Sequence, residues 1–298
     1  MPHLPLTDHE SRERLQGIGL ICAAVIFFSL LDTCAKFAAS RGIPTLEVVW
    51  SRYALSVVFS VVLLRPWRRP SDYLTRRPVV QGLRALFLLA STALNFIAIQ
   101  HLQLAQTVSI TFAAPLLVTA LAGPLLGEWA GPRRWAAVVI GFVGVLIVIQ
   151  PEPGAFQPAA LYSVGAAFCY AGYALTTRLL SATESPAGML IYGSALSAVA
   201  LTPALPAVAM VPPDWLVGGA LVMTGIAAAV GHWFLILANR RAPATVLAPF
   251  TYTQLLSMIA AGYFVFGDKP HASTLVGALV IIASGLYIIY RERVHRDR

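Results

Sequence analysis

The amino-acid sequence predicts an all-α membrane protein with ten transmembrane helices, arranged as two inverted-topology repeats of five helices with both termini in the cytoplasm. Three observations lead to this fold class. Hydrophobic residues make up 58% of the 298 residues and charged residues only 11%, whereas soluble domains average about 25% charged residues. Ten apolar runs of helix length follow one another along the chain, and the first of them recurs near the middle of the chain.

The internal repeat appears when residues 17–60 are set against the segment 142 positions further on, an alignment that needs no gap. A basic residue and a proline eight positions after it occur in both copies, as Lys36 and Pro44 and as Arg178 and Pro186. A second apolar run follows in each copy. Fixed-period similarity of this kind indicates a duplicated structural unit, so each half of the chain is predicted to fold as one copy.

The ten predicted helices follow from bilayer dimensions. A hydrocarbon core about 30 Å thick needs roughly 20 apolar residues per helix, and backbone in contact with lipid must form its hydrogen bonds internally. We number the segments 1 to 10, at about residues 17–39, 45–64, 80–100, 103–126, 132–150, 158–181, 187–210, 214–238, 243–267 and 271–290. The predicted organisation is a cytoplasmic tail at 1–16, a first repeat at 17–150, a second repeat at 158–290 and a cytoplasmic tail at 291–298.

The distribution of basic residues predicts the orientation, because loops rich in Lys and Arg stay in the cytoplasm. With the N-terminus inside, cytoplasmic segments carry 16 of the 21 Lys and Arg residues, and only Arg41 and Lys269 are placed outside. Five helices per half is an odd number, so the second half starts from the opposite side of the membrane. Inverted repeats of this kind occur in transporters whose binding site lies near the midplane, between the halves.

Several function classes are disfavoured. The net charge of +8 is scattered over short loops, so we expect no nucleic-acid partner. Cys22, Cys34 and Cys169 lie within apolar runs and are interpreted as small buried side chains. The sequence contains neither a Gly-Lys-Ser/Thr phosphate loop nor a His-Glu-x-x-His motif. We therefore expect no ATP drive within this chain, no catalytic residues, no metal and no cofactor.

The ends of the two halves carry a resemblance. Each half ends with a proline-bearing helix, a Gly–acid pair and a glycine-containing last helix, the residues being Pro115 and Gly127-Glu128 in the first half and Pro249 and Gly267-Asp268 in the second. This pattern resembles the drug/metabolite transporter superfamily in its ten-helix EamA-type branch, and is similar to bacterial aromatic amino-acid exporters. The second half departs from it, because Leu255 stands where the equivalent of Pro115 is expected. The resemblance implies export of amino acids or related metabolites.

Polar side chains inside a membrane are costly and are functional candidates by default. The candidate cavity residues are Asp32, Lys36, Trp50, Asn95, Thr111, Tyr170, Tyr173, His232, Tyr252 and Gln254. Asp32 and Lys36 are four residues apart and share a helix face; they either neutralise each other near the outer end of segment 1 or line the pathway. Arg178 is interpreted as a cytoplasmic anchor, and Glu47 and Arg52 as structural residues.

The other candidates also leave two interpretations open. The tryptophan and the tyrosines either anchor the protein at the membrane interface or line a cavity for apolar or aromatic cargo. Asn95 and Gln254 either join helices or bind the amino and carboxyl groups of a substrate. His232 is either a satisfied core histidine or a proton carrier. Pro115 and Pro249 are predicted to break segments 4 and 9 and to act as hinges around the cavity.

These features predict an inner-membrane secondary transporter that exports small metabolites, chiefly amino acids with an apolar or aromatic bias, by alternating access. Segments 1, 3, 4, 6, 8 and 9 are predicted to line the cavity, with segments 2 and 7 flanking it. One chain holds both halves, so a monomer is sufficient for transport. The alternatives are an exporter of lipophilic cations centred on Asp32 and, in another class, a non-transporting membrane enzyme or sensor scaffold.

Overall fold

The computed structural model describes residues 8–68, 70–127, 131–150, 157–181, 183–242 and 244–296, in which all regular structure is helical. The α-helices are α1 (Asp8–Ser40), α2 (Thr45–Leu64), α3 (Pro78–His101), α4 (Leu104–Thr111), α5 (Ala114–Leu126), α6 (Pro132–Ile149), α7 (Ala160–Leu180), α8 (Pro186–Leu201), α9 (Trp215–Arg241), α10 (Ala244–Thr251), α11 (Gln254–Ala261) and α12 (Ala272–Arg296). Short 3₁₀ helices lie at Pro66–Arg68, Pro70–Tyr73 and Thr202–Ala207, and a π-helical turn at Gly262–Phe266.

Each predicted segment has a helical counterpart, but segments 4 and 9 are interrupted. Segment 4 is divided into α4 and α5, and segment 9 into α10, α11 and the π-helical turn. Within the described residues, six helical stretches are long and apolar enough to cross a membrane: Arg12–Ser40, Thr45–Leu64, Pro78–His101, Leu104–Leu125, Pro186–Ala207 and Trp215–Arg241. The number of crossings and the side of the termini stay predictions.

The predicted tails are partly helical. Helix α1 begins at Asp8 and helix α12 continues to Arg296, so both helices extend beyond the apolar runs into charged sequence. The hydrophobic pattern marks the part of a helix that lies in lipid, and not the part that continues into water.

The two interrupted segments end in the same way. Gly127 after α5 and Gly267 after the π-helical turn both adopt the left-handed conformation, with φ of 73° and 71°. The Gly127 amide donates to the Gly123 carbonyl, and the Gly267 amide donates to the Tyr263 carbonyl. Glycine adopts this conformation without a steric penalty, which is why it commonly ends a helix. The Gly–acid pairs of the sequence are therefore helix ends, although Glu128 itself lies outside the described residues.

Helix packing relates the two halves. Helix α1 packs along α9, and α3 packs along α7; in segment numbers these pairs are 1 with 8 and 3 with 6. Segments 1 and 6 are counterparts in the two halves, as are segments 3 and 8. If each segment is replaced by its counterpart, the pair 1 with 8 becomes the pair 6 with 3. Helix α2 also packs with α8, and α6 with α12; in segment numbers these pairs are 2 with 7 and 5 with 10. Each of them joins two counterparts, so the same replacement leaves the pair unchanged. This arrangement is what a two-fold relation between the halves requires.

The last helices of the two halves make one of the closest contacts. A Cβ atom added at Gly277 of α12 would lie 2.6 Å from the carbonyl oxygen of Gly144 of α6, and one added at Gly144 would lie 2.9 Å from the carbonyl oxygen of Gly277. Only glycine allows backbones to approach so closely. Helices α6 and α12 contribute none of the described residues that line the central cavity, so they brace the halves from the side.

Candidate functional site

A cavity of about 410 Å³ lies between the two halves. Its walls come from α1, α2, α3, α4 and α5 of the first half and from α7, α9, α10 and α11 of the second. A volume of several hundred cubic ångströms is typical of sites for small metabolites. Helix α2 was expected to flank the cavity, but it contributes Arg52 to the wall.

Seven of the ten predicted cavity residues line this space. They are Asp32, Asn95, Thr111, Tyr170, His232, Tyr252 and Gln254. They come from both halves, and the structure brings them together although they are separated by up to 222 positions (254 − 32) in the sequence. The other three, Lys36, Trp50 and Tyr173, lie elsewhere.

The acidic group of the cavity is Asp32 on α1. Asn95 on α3 donates from Nδ2 to Asp32 Oδ1 at 3.2 Å. Within the described part of the chain, Asp32 Oδ2 has no hydrogen-bond donor. The carboxylate is therefore held by one helix of the same half and keeps one oxygen available to the cavity.

Lys36 does not pair with Asp32, although the two residues share a face of α1. Its Nζ lies 3.0 Å from Asp268 Oδ2, donates to the Leu102 carbonyl oxygen at 2.9 Å and lies 4.9 Å from the Phe266 ring centroid. These contacts tie the end of α1 to the end of α3 and to the segment after the π-helical turn. They lie one helical turn beyond Asp32, so they cross-link the two halves at one end of the cavity.

Arg52 on α2 is a cavity residue that sequence reasoning assigned to structure. Its side chain is only 7% exposed, Nη1 donates to Thr92 Oγ1 at 3.0 Å, and its guanidinium carbon lies 4.5 Å from the Tyr53 ring centroid. Nε is buried without a hydrogen-bond partner in the described residues. The signal in the sequence was an arginine one turn inside an apolar run, which in a membrane helix is itself evidence for a functional role.

Aromatic rings form part of the remaining walls, together with aliphatic side chains such as Leu31 and Met258. Phe28 and His232 meet edge to face with ring centroids 5.0 Å apart, as do Phe112 and Tyr252 at 5.0 Å. Phe28 and Phe112 were not predicted, since a phenylalanine in an apolar run carries no signal that separates a cavity wall from a lipid contact. Gln254 lines the same space, and its side chain makes no hydrogen bond within the described residues.

Two predicted aromatic candidates make contacts outside the central cavity. Trp50 Nε1 donates to Thr202 Oγ1 at 3.1 Å near the end of α8. The Tyr173 hydroxyl accepts from Arg84 Nη2 at 2.9 Å, in a separate small cavity. Tyr170, one helical turn before Tyr173, is the helix α7 tyrosine that lines the central cavity.

The helix interruptions differ from the prediction that the prolines cause them. In the first half, residues 112–113 separate α4 from α5, and Pro115 follows the break. In the second half, α10 continues through position 249 to Thr251, and the break lies at residues 252–253. The side chain of Pro249 lies outside the described residues. The second break is therefore set by residues other than a proline at its own position.

The cavity thus offers one carboxylate and one guanidinium, each with unused hydrogen-bonding capacity, together with a free amide and aromatic rings. This arrangement can bind a small solute that carries both charges and an apolar part. All these groups are of kinds that can bind and orient a solute, and the site lies between two halves that pack as a two-fold pair.

Comparison with known proteins is consistent with this geometry. The EamA-like transporter family matches the chain at residues 15–150 and again at 157–291. The chain is 29% identical over 95% of its length to an S-adenosylmethionine uptake transporter of Rickettsia felis, 96% of which is covered. It is 28% identical over 93% of its length to a riboflavin transporter of Vibrio cholerae, 94% of which is covered.

Two further comparisons concern direction and fold. The pseudopaline exporter CntI of Pseudomonas aeruginosa is 24% identical, with 90% of this chain and 94% of the exporter covered. A solved crystal structure aligns with a TM-score of 0.61 at 16% identity, covering 91% of this chain and 98% of that one. This structural likeness supports the helical fold alone.

Proposed function

Because the chain belongs to the EamA-like transporter family, we propose that it carries amino-acid-type zwitterions with an apolar or aromatic part by alternating access. The protein is a multi-pass transporter of the bacterial inner membrane, within the drug/metabolite transporter superfamily, and is not an enzyme. The proposal concerns its cargo. The observation that carries it is the presence of Asp32 and Arg52 in the wall of one cavity.

Charge complementarity is the first argument. An amino acid carries an ammonium and a carboxylate group, and the cavity presents a carboxylate oxygen and guanidinium N–H groups that lack partners in the described chain. Hydrogen bonds between charged groups contribute about 1.5–3 kcal/mol each. In this assignment Asp32, held by Asn95, binds the ammonium, and Arg52, held by Thr92, binds the carboxylate.

The aromatic walls are the second argument. Rings of Phe28, Phe112, Tyr170 and Tyr252 face the same space and suit an apolar or flat group of the cargo. S-adenosylmethionine, the cargo named for several relatives, joins an amino-acid group to a flat base. It therefore belongs to the proposed class, together with phenylalanine and tryptophan.

Alternating access requires that one end of the cavity opens while the other is closed. The Lys36–Asp268 pair joins the halves at one end, so we propose that it must break when that end opens. By their names the relatives include uptake transporters and an exporter, and a carrier of this type works in both directions. The cargo gradient then sets the direction, which for a metabolite made in the cytoplasm is export.

The test is uptake of labelled phenylalanine into proteoliposomes that contain the purified protein. Unlabelled amino acids, S-adenosylmethionine, riboflavin and a quaternary ammonium dye serve as competitors. Competition by compounds that contain an amino-acid group, and not by riboflavin or the dye, supports the proposal. Absence of phenylalanine flux together with transport of another competitor class contradicts it.

Substitutions at Asp32 and Arg52 test whether these residues bind the charged groups of the cargo. Asp32→Asn and Arg52→Gln each remove a charged hydrogen-bond partner, so the KM for phenylalanine should rise by about 10- to 150-fold. Trp50→Phe is the matched control, because Trp50 lies outside the cavity wall and contacts Thr202. An unchanged KM in both charge variants would remove the assignment.

A second candidate is a lipophilic cation, favoured by the available Asp32 oxygen among aromatic rings. The two candidate cargoes differ in the effect that a substitution of Arg52 should have on transport. A cation gains nothing from that guanidinium, so Arg52→Gln should leave cation transport intact or raise it, while Asp32→Asn abolishes it. Arg52→Gln should instead weaken transport of a zwitterion.

A further inference from the structure

A second, much smaller cavity lies beside the central one. Its volume is about 10 Å³, close to the room needed by a single water-sized species. Helices α2, α3, α7, α8 and α9 surround it. Its polar lining consists of Arg52, Tyr53, Ser56, Arg84, Tyr173, Ser194 and His232, and no carboxylate is among the described residues that line it.

Arg84 is the second buried arginine of the membrane region and is 4% exposed. It donates to Thr177 Oγ1 at 2.8 Å, to the Met189 carbonyl oxygen at 2.8 Å and to the Tyr173 hydroxyl at 2.9 Å. A guanidinium has five N–H donors, so two remain. All three of its partners are neutral groups, so no carboxylate is bonded to the positive charge.

Arg52 has even more unused capacity. Within the described residues its one hydrogen-bond partner is Thr92, and its Nε is buried without a partner. Neither Arg52 nor Arg84 forms an ion pair within the described residues, and the ion pair of Lys36 with Asp268 lies elsewhere. Two buried guanidinium groups therefore meet at one void with no carboxylate bonded to either. Asp32 attracts Arg52 from the central cavity without a hydrogen bond to it, so the two positive charges at the void are costly inside a membrane.

Most of the other lining groups are donors or have their acceptors in use, the exceptions being a ring nitrogen of His232 and the two serine hydroxyls, which can also accept. The Leu88 carbonyl accepts from Tyr53, and the Met189 carbonyl accepts from Arg84. The Ser56 and Ser194 hydroxyl oxygens are 3.5 Å apart, a long contact that leaves their protons free to rotate toward the void. A site rich in donors, poor in acceptors and positive in charge selects an anion.

We propose that this void between Arg52 and Arg84 binds a monoatomic anion of the halide class, with chloride as the natural ligand. The size of the void excludes carboxylate, phosphate and sulfate groups, whereas a halide ion is only slightly larger than water. The anion compensates the two arginines and joins α2, α3 and α8 beside the cargo cavity. The inference concerns the protein without cargo, because Arg52 lines both cavities and the cargo proposal assigns the same guanidinium to a cargo carboxylate.

The test measures thermal unfolding of the purified full-length protein in detergent, without cargo. Sodium chloride or sodium bromide replaces sodium gluconate at constant ionic strength. Because a ligand that binds only the folded state stabilises it, the Tm should rise by several degrees and saturate with either halide. A Tm that stays the same when either halide replaces gluconate overturns the proposal, and the void is then a site for water.

Three variants make the test specific. Arg84→Gln removes one charge and should raise the half-saturating chloride concentration at least about tenfold. Ser194→Val keeps both arginines but places a methyl group in the void, so it should abolish the halide effect even if Arg84→Gln does not fold. Arg41→Gln, which removes an exposed arginine outside the cavity, should respond to chloride like the natural protein.

A crystallographic measurement locates the ion directly. Crystals of the protein grown in bromide should show an anomalous difference peak between the guanidinium groups of Arg52 and Arg84. A bromide peak elsewhere, with none at this void, contradicts the proposal even if halides raise the Tm. Neither experiment measures transport. The test of the anion site therefore stands even if the cargo assignment is wrong.

Discussion

The two interrupted segments break at equivalent positions, but only the first has a proline there. Helices α4 and α10 each contain eight residues, and both start and end 140 positions apart (104 and 244, 111 and 251). Position 115 is proline and its counterpart, position 255, is leucine. The same backbone interruption is thus formed by two different local sequences.

The hydrogen bonds around the breaks agree closely. The amides of Ala113 and Thr253 donate to the carbonyls three residues earlier, at 3.0 and 3.2 Å, and the amides of Leu116 and Leu256 do the same at 3.0 Å. Leu255 has the amide hydrogen that a proline lacks, and donates it to the Tyr252 carbonyl at 3.1 Å. That bond also spans three residues, so the α-helical ladder is not restored.

The comparison shows that the break forms with a proline in the first segment and without one at the equivalent position in the second. Phe112 and Tyr252 occupy equivalent positions within the two breaks and contact each other edge to face across the cavity. The Tyr252 hydroxyl lies where a Cβ atom at Gly285 of α12 would be. A ring contact between the halves therefore supports the broken backbone of both segments, and packing against α12 of the same half supports that of the second.

The largest effect is expected at Gly285. In Gly285→Ala the new methyl group overlaps the Tyr252 hydroxyl, and overpacking of this kind costs about 1–3 kcal/mol. Transport should fall and thermal unfolding should occur at lower temperature. Adding Tyr252→Phe removes the overlapping oxygen and should restore most of both. Failure of the double variant to recover would show that Gly285 serves the helix contact and not the tyrosine.

The ring contact between the breaks can be measured by a double-mutant cycle. The loss of stability in the Phe112→Ala/Tyr252→Ala double variant should be smaller by about 0.5–1.5 kcal/mol than the sum of the two single losses, because each single variant already removes the ring contact. Thermal unfolding of the two single variants and of the double variant gives the coupling. Strictly additive effects would mean that the two breaks are held independently, each by its own half.

The next prediction concerns the stability of a variant with a proline in the second break. Leu255→Pro removes one hydrogen bond that spans three residues, so it should cost only about 1 kcal/mol. Leu279→Pro is the matched control, since it places a proline inside the uninterrupted α12 and should cost about 3 kcal/mol or more. Equal losses of stability in the two variants would contradict an interruption at residues 252–253.

The smallest effect is expected at Pro115. Pro115→Leu gives the first break the residue found in the second, and should lower stability by less than about 1 kcal/mol, chiefly because the unfolded chain gains freedom. Phenylalanine transport should be retained. Loss of transport with unchanged stability would show that the first break, unlike the second, depends on proline for its motion.

The candidate site was predictable in part. Asp32, Asn95 and Gln254 stand out because polar side chains in apolar runs are costly and few, and all three line the cavity. Arg52 was interpreted as a structural residue because it lies near the predicted membrane edge, at the start of segment 2. Trp50 was named as a cavity residue because its type suits both an interface and a cavity.

Partner choice could not be read from spacing along the chain. Asp32 and Lys36 share a helix face, yet Lys36 bonds with Asp268, 232 positions away. A lysine side chain is long and flexible, so several acids were within its reach. The packing of the end of α1 against the segment after the π-helical turn decides which acid it meets.

The sequence by itself determined the helical membrane class, the family and the repeated organisation of this protein. These properties follow from the bilayer, because lipid requires long apolar helices, and from the duplicated pattern of charges and glycines. The tertiary structure alone decided that Arg52 faces the cavity, that Lys36 crosses to the other half and that segment 9 breaks without a proline at the break. Each of these depends on side chains and backbones from distant segments packing against one another, which no local pattern encodes.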